Sequence, residues 1–109
     1  MLGFFRFRSL ERNRQTDDRR LALIQNVVRS AITHAEAETR GLRARMVKAR
    51  QSSIFVLEQI EGNEIASTRR AELTSLEQDL RATEQRLAQL QEHLAFLRSI
   101  AAAATRPPR

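Results

Sequence analysis

The last third of the chain carries an unbroken seven-residue repeat, and this repeat constrains the fold more than any other feature. From Leu73 to Ala104, apolar residues and one threonine recur in alternating steps of three and four. The stripe consists of Leu73, Leu76, Leu80, Thr83, Leu87, Leu90, Leu94, Leu97, Ala101 and Ala104. This spacing puts a narrow apolar stripe on one side of a helix, which another helix must cover. The sequence therefore predicts a long helix with a helical partner.

The composition favours long helices over a compact globular core. The 109 residues include no Trp, Tyr or Cys, and only 3 Gly and 2 Pro. Abundant Ala, Leu, Arg, Glu and Gln are typical of coiled coils. The lack of cysteine excludes disulfides, a thiol nucleophile and a cysteine metal site. Because no run reaches the roughly 18 apolar residues of a membrane span, and the N-terminus lacks the apolar core of a secretory signal, we expect one cytoplasmic domain.

A second stripe upstream supplies a helical partner within the same chain. We predict that its helix starts near Thr16, a favourable N-cap with two aspartates in the first turn. The members of this stripe are Leu21, Ile24, Val28, Ala31, Ala35, Leu42, Met46, Ala49, Ser53, Val56 and Ile60. Glu38 interrupts the stripe, and the step from Leu42 to Met46 is four residues where three is expected. We therefore predict a drift of the repeat at this point.

Gly62 and Asn63 indicate where the chain turns back, because both residue types adopt the left-handed conformation beyond a helix end. We predict an all-α fold, in which two long helices form an antiparallel helical hairpin (coiled coil). The predicted helices span 16–61 and 64–104, with a turn at 62–63, a basic, Phe-rich N-terminal segment at 1–15 and a disordered tail at 105–109. The alternative is one continuous helix that dimerises in parallel.

The pairing of the two stripes supports the hairpin. A fold-back at Gly62-Asn63 brings small residues of one stripe opposite leucines of the other, which lets the two helices interdigitate. Examples are Val28 opposite Leu97 and Ala35 opposite Leu90. Two pairs fit poorly: Glu38 opposite Leu87, and Arg69 opposite Val56.

The N-terminal segment combines aromatic and basic residues. Its apolar members Leu2, Phe4, Phe5 and Phe7 are interleaved with Arg6 and Arg8. One interpretation is that this short amphipathic segment lies on an anionic membrane surface, with rings at the acyl boundary and arginines on headgroups. The alternatives are docking onto apolar surface of the protein or its dimer, and a disordered tail without a fixed role.

A basic stretch in the first helix is a candidate anion contact. Arg40, Arg43, Arg45, Lys48 and Arg50 follow one another without an intervening acid. The sequence favours pairing with the acidic residues at the matching level of the second helix, which are Glu77, Asp79 and Glu84. The functional alternative is contact with the phosphates of nucleic acid or anionic lipid.

Several large apolar residues lie outside the two stripes. Ile54, Phe55 and Leu57 are near the turn, and Phe96 and Ile100 are at the open end of the hairpin, where Leu23, Val27 and Ile32 also lie off the stripe. Exposed apolar residues of this kind mark an oligomer or partner surface. We therefore expect a homodimer or a helical partner protein.

The sequence offers little for catalysis or metal binding. His34 and His93 would be neighbours across the predicted pairing, but two histidines without a carboxylate cluster are more typical of ordinary surface residues than of a metal site. No Ser or Thr has a general base at a suggestive spacing, and no glycine-rich phosphate loop is present. We expect no enzyme activity, no cofactor and no small-molecule substrate.

Two classes of function remain. The first is a non-enzymatic coiled-coil interaction, scaffold or adaptor protein, dimeric and held at the inner face of the membrane by its N-terminus. The alternative is a basic nucleic-acid-associated protein that uses Arg40–Arg50, which we consider less favoured because no DNA-reading motif is present.

Overall fold

The computed structural model consists of two α-helices, α1 (Leu2–Gly62) and α2 (Ala66–Thr105). It describes the backbone of residues 2–62 and 66–105 and the side chains of residues 6–60 and 67–105. No strand occurs within these ranges. The two helices pack against each other and run antiparallel, so the predicted all-α helical hairpin is confirmed.

The first helix begins earlier than the sequence suggests. α1 starts at Leu2 rather than at Thr16, so residues 2–15 are its first turns and not a separate segment. The Thr16 hydroxyl donates a hydrogen bond to the Arg12 carbonyl oxygen at 2.9 Å, four residues back along the helix. This is how a threonine inside a helix behaves, whereas an N-cap accepts a bond from a backbone N–H. With no Gly or Pro between residues 4 and 20, nothing in the sequence ends the helix there.

The turn and the tail lie largely outside the described residues. α1 ends at Gly62 and α2 begins at Ala66, one and two residues beyond the predicted bounds. Of the two residues on which the predicted left-handed turn depends, Gly62 is instead the last residue of the right-handed helix α1, and Asn63 lies between the described ranges. α2 ends at Thr105, and the rest of the predicted tail, residues 106–109, also lies outside them.

The hairpin divides into two compact units, each formed by a part of both helices. Unit 1 comprises Met1–His34 with Leu94–Arg109. In it, the Gln25 side-chain amide donates a hydrogen bond to the Ala104 carbonyl oxygen at 3.3 Å. Ala104 lies in the last turn of α2, where carbonyl groups have no donor within their own helix. Gln25 therefore caps the end of α2 from the neighbouring helix.

Unit 2 comprises Ala35–His93, and two ion pairs join its helices. The Arg86 Nε lies 2.7 Å from Glu38 Oε2. Arg50 Nη2 lies 3.8 Å from Glu84 Oε1. Arg50 comes after Glu38 in α1, and its partner Glu84 comes before Arg86 in α2, as an antiparallel arrangement requires. The shorter contact places Glu38 and Arg86 at the same level of unit 2.

The buried side of α2 agrees with the predicted stripe. All ten predicted positions from Leu73 to Ala104 are buried or half-buried. Leu90 has the least exposed side chain, at 1%. Residues between these positions are exposed, apart from Ile100 beside the stripe. Thus the seven-residue repeat read from the sequence is the face that α2 turns toward α1.

The buried side of α1 differs from the prediction at three places. Ile24 is 47% exposed and Gln25 is half-buried in its place. Glu38 is exposed, and the neighbouring Thr39 is buried at 9%. Ile32, predicted to lie off the stripe, is half-buried beside Ala31. With these changes, the steps of three and four continue without a break, so the predicted drift after Leu42 is wrong. The inward positions are Leu21, Gln25, Val28, Ile32, Ala35, Thr39, Leu42, Met46, Ala49, Ser53, Val56 and Ile60.

The polar residues on this stripe are tolerated because their hydrogen bonds are made locally. The Thr39 hydroxyl donates to the Ala35 carbonyl oxygen at 2.9 Å, and Ser53 donates to Ala49 at 2.9 Å. A buried hydroxyl that keeps a hydrogen bond avoids most of the cost of leaving water. Glu38, no longer opposite Leu87, lies at the flank and binds Arg86 instead.

Candidate functional site

The first candidate is the beginning of α1, residues 2–20, which we call the N-terminal arm. Every described side chain from Arg6 to Arg20 is exposed, and the first half-buried residue is Leu21. Phe7 is 68% exposed, and Leu10 is exposed to a similar degree. The predicted contacts Leu2, Phe4 and Phe5 belong to α1, but their side chains lie outside the described residues. The arm is therefore a helix without a covering partner among the residues described.

The arm is basic as well as apolar. Arg6, Arg12 and Arg14 are exposed and form no ion pair within the described part of the chain. Arg8 is exposed too. Near the end of the arm, Arg20 pairs with Asp17 at 3.4 Å. Uncompensated arginines beside exposed aromatic and aliphatic side chains give this helix the chemistry of a ligand for an anionic, partly apolar surface.

The basic stretch of α1 lies in unit 2 and is exposed throughout. Of its five cations, Arg50 pairs with Glu84, one of the three acids suggested by the sequence. The other four make no ion pair with any described residue. They are Arg40, Arg43, Arg45 and Lys48. The acidic residues of α2 thus neutralise only part of the positive charge of the basic stretch, which keeps a positive surplus.

Large exposed apolar side chains occur in both units. In unit 1 they include Leu23, Ile24, Val27 and Phe96, whereas Ile100 is half-buried. In unit 2 they are Val47, Ile54, Phe55 and Leu57, while Val56, within the same run, is buried. Sequence reasoning missed Val47, because a single valine between charged residues gives no signal. It also misplaced Ile24, because an isoleucine three residues after Leu21 looks like a member of the stripe.

An open groove of about 740 Å³ lies on unit 2 beside Phe55. Val56 and Leu76 contribute apolar surface, and Lys48 and Arg69 contribute positive charge. Arg69 is itself paired with Glu72 at 3.0 Å. The groove is shallow compared with the enclosed pockets that hold small ligands.

The Glu38–Arg86 pair is the best-defined electrostatic contact between the helices. Arg86 binds both carboxylate oxygens, through Nε at 2.7 Å and Nη2 at 3.0 Å. The hydrogen bond from Arg86 holds the pKa of Glu38 below its ordinary value, with smaller contributions from the charges of Arg86 and His93. The same hydrogen bond raises the pKa of Arg86. Two-point binding of this type fixes direction as well as distance.

The stability contributed by Glu38 should depend on pH. Because the pKa of Glu38 is lower in the folded state, its contribution is complete above the ordinary carboxyl pKa and disappears as the pH falls through the lowered value. We expect Glu38→Gln to lower the melting temperature at pH 7 and to have little effect at the acid end of a series. Glu58→Gln, at an exposed residue that forms no ion pair with another described side chain, is the control and should show no such trend. A Glu38→Gln effect independent of pH would contradict this assignment.

The described residues hold no arrangement suited to metal binding. No three His, Asp or Glu side chains come together as a metal site would require. His34 and His93 are both exposed and belong to different units. Neither described helix has a stretch long and apolar enough to cross a membrane.

Comparisons with protein-family models, curated proteins and solved structures give no match to this chain.

Proposed function

We propose that the protein is a non-enzymatic adaptor, in which an antiparallel coiled-coil hairpin holds the N-terminal arm against the anionic inner surface of the membrane. The observation that carries the proposal is the arm itself. It is helical and exposed along its described length, and it combines Phe7 and Leu10 with arginines that lack ion-pair partners among the described residues. The apolar side chains outside the helix contact then serve as docking surface for helical partners.

The energetics of such an arm favour peripheral binding. Each Arg near an anionic lipid surface contributes about 1 kcal/mol, and buried rings add to this. Arg6, Arg12 and Arg14 together would therefore supply about 3 kcal/mol. Contributions of this size give reversible attachment rather than permanent insertion.

The arm belongs to unit 1 and continues along α1, without a break, into the part of the helix that packs against α2. A helix that continues directly into a packed unit transmits orientation, whereas a flexible linker would not. Membrane contact at the arm would thus fix the direction of the adjoining helix, which suits a scaffold.

Vesicle binding by two matched variants tests the proposal. One variant carries Arg6→Gln, Arg12→Gln and Arg14→Gln; the control carries Arg40→Gln, Arg43→Gln and Arg45→Gln. Both remove three exposed arginines that make no ion pair with a described residue. For vesicles containing phosphatidylglycerol, we expect the arm variant to bind about 100-fold more weakly than the parent. The control variant should bind within a few-fold of the parent. Equal losses, or no parent binding, would contradict the proposal.

A second candidate is binding to nucleic acid, favoured by the positive surplus of the Arg40–Lys48 part of α1. The same two variants discriminate it in a salt series with duplex DNA. Steeply salt-dependent DNA binding that is lost in the Arg40, Arg43 and Arg45 variant, but kept in the arm variant, would favour this alternative.

A further inference from the structure

We propose that one face of unit 1 binds a second copy of this chain, and we call it the dimer face. It is formed by Leu23, Ile24 and Val27 of α1 with Phe96 and Ile100 of α2. This inference concerns self-association and does not depend on membrane binding by the arm.

Ile24 and Ile100 lie on the same flank of the helix pair. Ile24 directly precedes the inward residue Gln25, and Ile100 directly precedes Ala101. In unit 2, Glu38 and Arg86 occupy the same positions of the seven-residue repeat, since each lies two repeats away from Ile24 or Ile100 along its own helix. Glu38 and Arg86 are hydrogen-bonded to each other. Equivalent positions of two antiparallel helices therefore meet on one side. Because Gln25 rather than Ile24 faces α2, the side chain of Ile24 lies on this flank.

The neighbouring residues widen the flank into an apolar face. Val27 follows Ile24 by three residues, and Phe96 precedes Ile100 by four, so each lies on the same side of its helix as its partner. Val27 is 70% exposed, and Leu23 and Phe96 are exposed to a similar degree. The two helices of unit 1 thus present large apolar side chains together, which is more than the scattered apolar residues of an ordinary surface.

The opposite flank of unit 1 is basic. Arg29 directly follows the buried Val28, and Arg98 directly follows the buried Leu97, which puts both arginines on the other side of the helix contact. By contrast, the sequence between Arg20 and Arg29 holds no charge. Arg20, four residues before Ile24, is paired with Asp17, so α1 offers an acidic partner no unpaired charge on this flank between residues 20 and 28.

A second copy fits this face better than the chain's own arm. Since α1 is continuous from Leu2, the arm cannot turn back over unit 1. A second copy brings an identical uncharged face, as a two-fold interface requires. It also avoids the repulsion expected between chains of net charge +6 if their basic flanks met.

The exposed area supports the same occupant. The chain exposes 9031 Å². A compact monomer of 12.5 kDa would expose about 6,200 Å². This surplus of about 2,800 Å² (9031 minus 6,200) belongs to the whole chain, and an interface of roughly 800 Å² per partner would cover less than a third of it. Two hairpins paired into a four-helix arrangement would cover that part.

Molar mass in solution, with a matched pair of variants, tests the proposal. We expect the parent chain to have twice the 12.5 kDa mass of one chain by light scattering. Val27→Glu should weaken the dimer by on the order of a hundredfold, because each dimer would bury two unpaired carboxylates. Val47→Glu makes the same change at another exposed valine, in unit 2, and should leave the dimer intact. Both sites are more than half exposed, so neither change should unfold the chain.

Each outcome decides the question. A parent mass of one chain would overturn the proposal and leave the face to another protein or to a membrane. A Val27→Glu chain that stays dimeric, or a Val47→Glu chain that becomes monomeric, would also overturn it. As an independent check, a spin label at Ser99→Cys should report a short distance between two chains, and the cysteine-free sequence makes this label unique. Vesicle binding by Val27→Glu monomers would separate this result from the test of the arm.

Discussion

Replacing Leu90 by alanine should lower the free energy of unfolding by about 3 kcal/mol, the usual loss when a fully buried leucine is truncated. Leu90 is 1% exposed, the least of the described core side chains. In a two-helix unit, each layer of the contact has few side chains, so little neighbouring apolar material can move in to fill the space. Urea unfolding followed by circular dichroism measures the loss.

The matched control is Leu57→Ala, which makes the same chemical change in the same unit. Leu57 is 45% exposed, so truncation removes less buried surface and leaves no enclosed cavity. We expect a loss below about 1 kcal/mol. Comparable losses for the two variants would mean that Leu90 does not occupy the buried position described for it.

The fold could be predicted from the sequence because the contact face of α2 consists of apolar residues, with Thr83 as the exception. Every turn of that repeat has a leucine or alanine, so a single phase fits the whole helix. The physical requirement that such a stripe be covered then selects a helical partner. Since the partner stripe occurs in the same chain, the hairpin follows.

The phase of α1 could not be predicted as well, because its contact face contains Gln25, Thr39 and Ser53. Their cost depends on whether a carbonyl oxygen is within reach, and only the structure shows the bonds to Ala104, Ala35 and Ala49. A prediction based on apolar residues alone assigns Ile24 to the contact face, although Gln25 occupies that position. The same prediction assigns Glu38 to the contact face in place of the buried Thr39, for the same reason.

The exposure of the candidate residues could be predicted in part. The sequence identified Phe7, Phe55 and Phe96 as residues outside the main stripe, and all three are exposed. It did not show that the arm continues α1, because a good N-cap residue such as Thr16 is also tolerated inside a helix. Nor could it show that Ile24 is exposed, since that depends on the phase of α1.

Placing a carboxylate at Thr39 should lower the free energy of unfolding by about 3 kcal/mol, the loss expected for a buried charge without a partner. Thr39 is 9% exposed, and its hydroxyl is already satisfied by Ala35. The carboxylate of a glutamate at this position would either be buried without water or push α2 away from α1. Thermal and urea unfolding of Thr39→Glu measure the cost.

Ala37→Glu is the control for this charge, because Ala37 is exposed two residues earlier in the same helix. We expect it to change the stability by less than about 0.5 kcal/mol. The comparison decides between the two phases of α1. If Glu38 rather than Thr39 faced α2, Thr39→Glu would be as harmless as Ala37→Glu, and Glu38→Leu would stabilise the chain. In the register described here, Glu38→Leu instead removes the two-point contact with Arg86 and gains no buried surface, so it should not stabilise the chain.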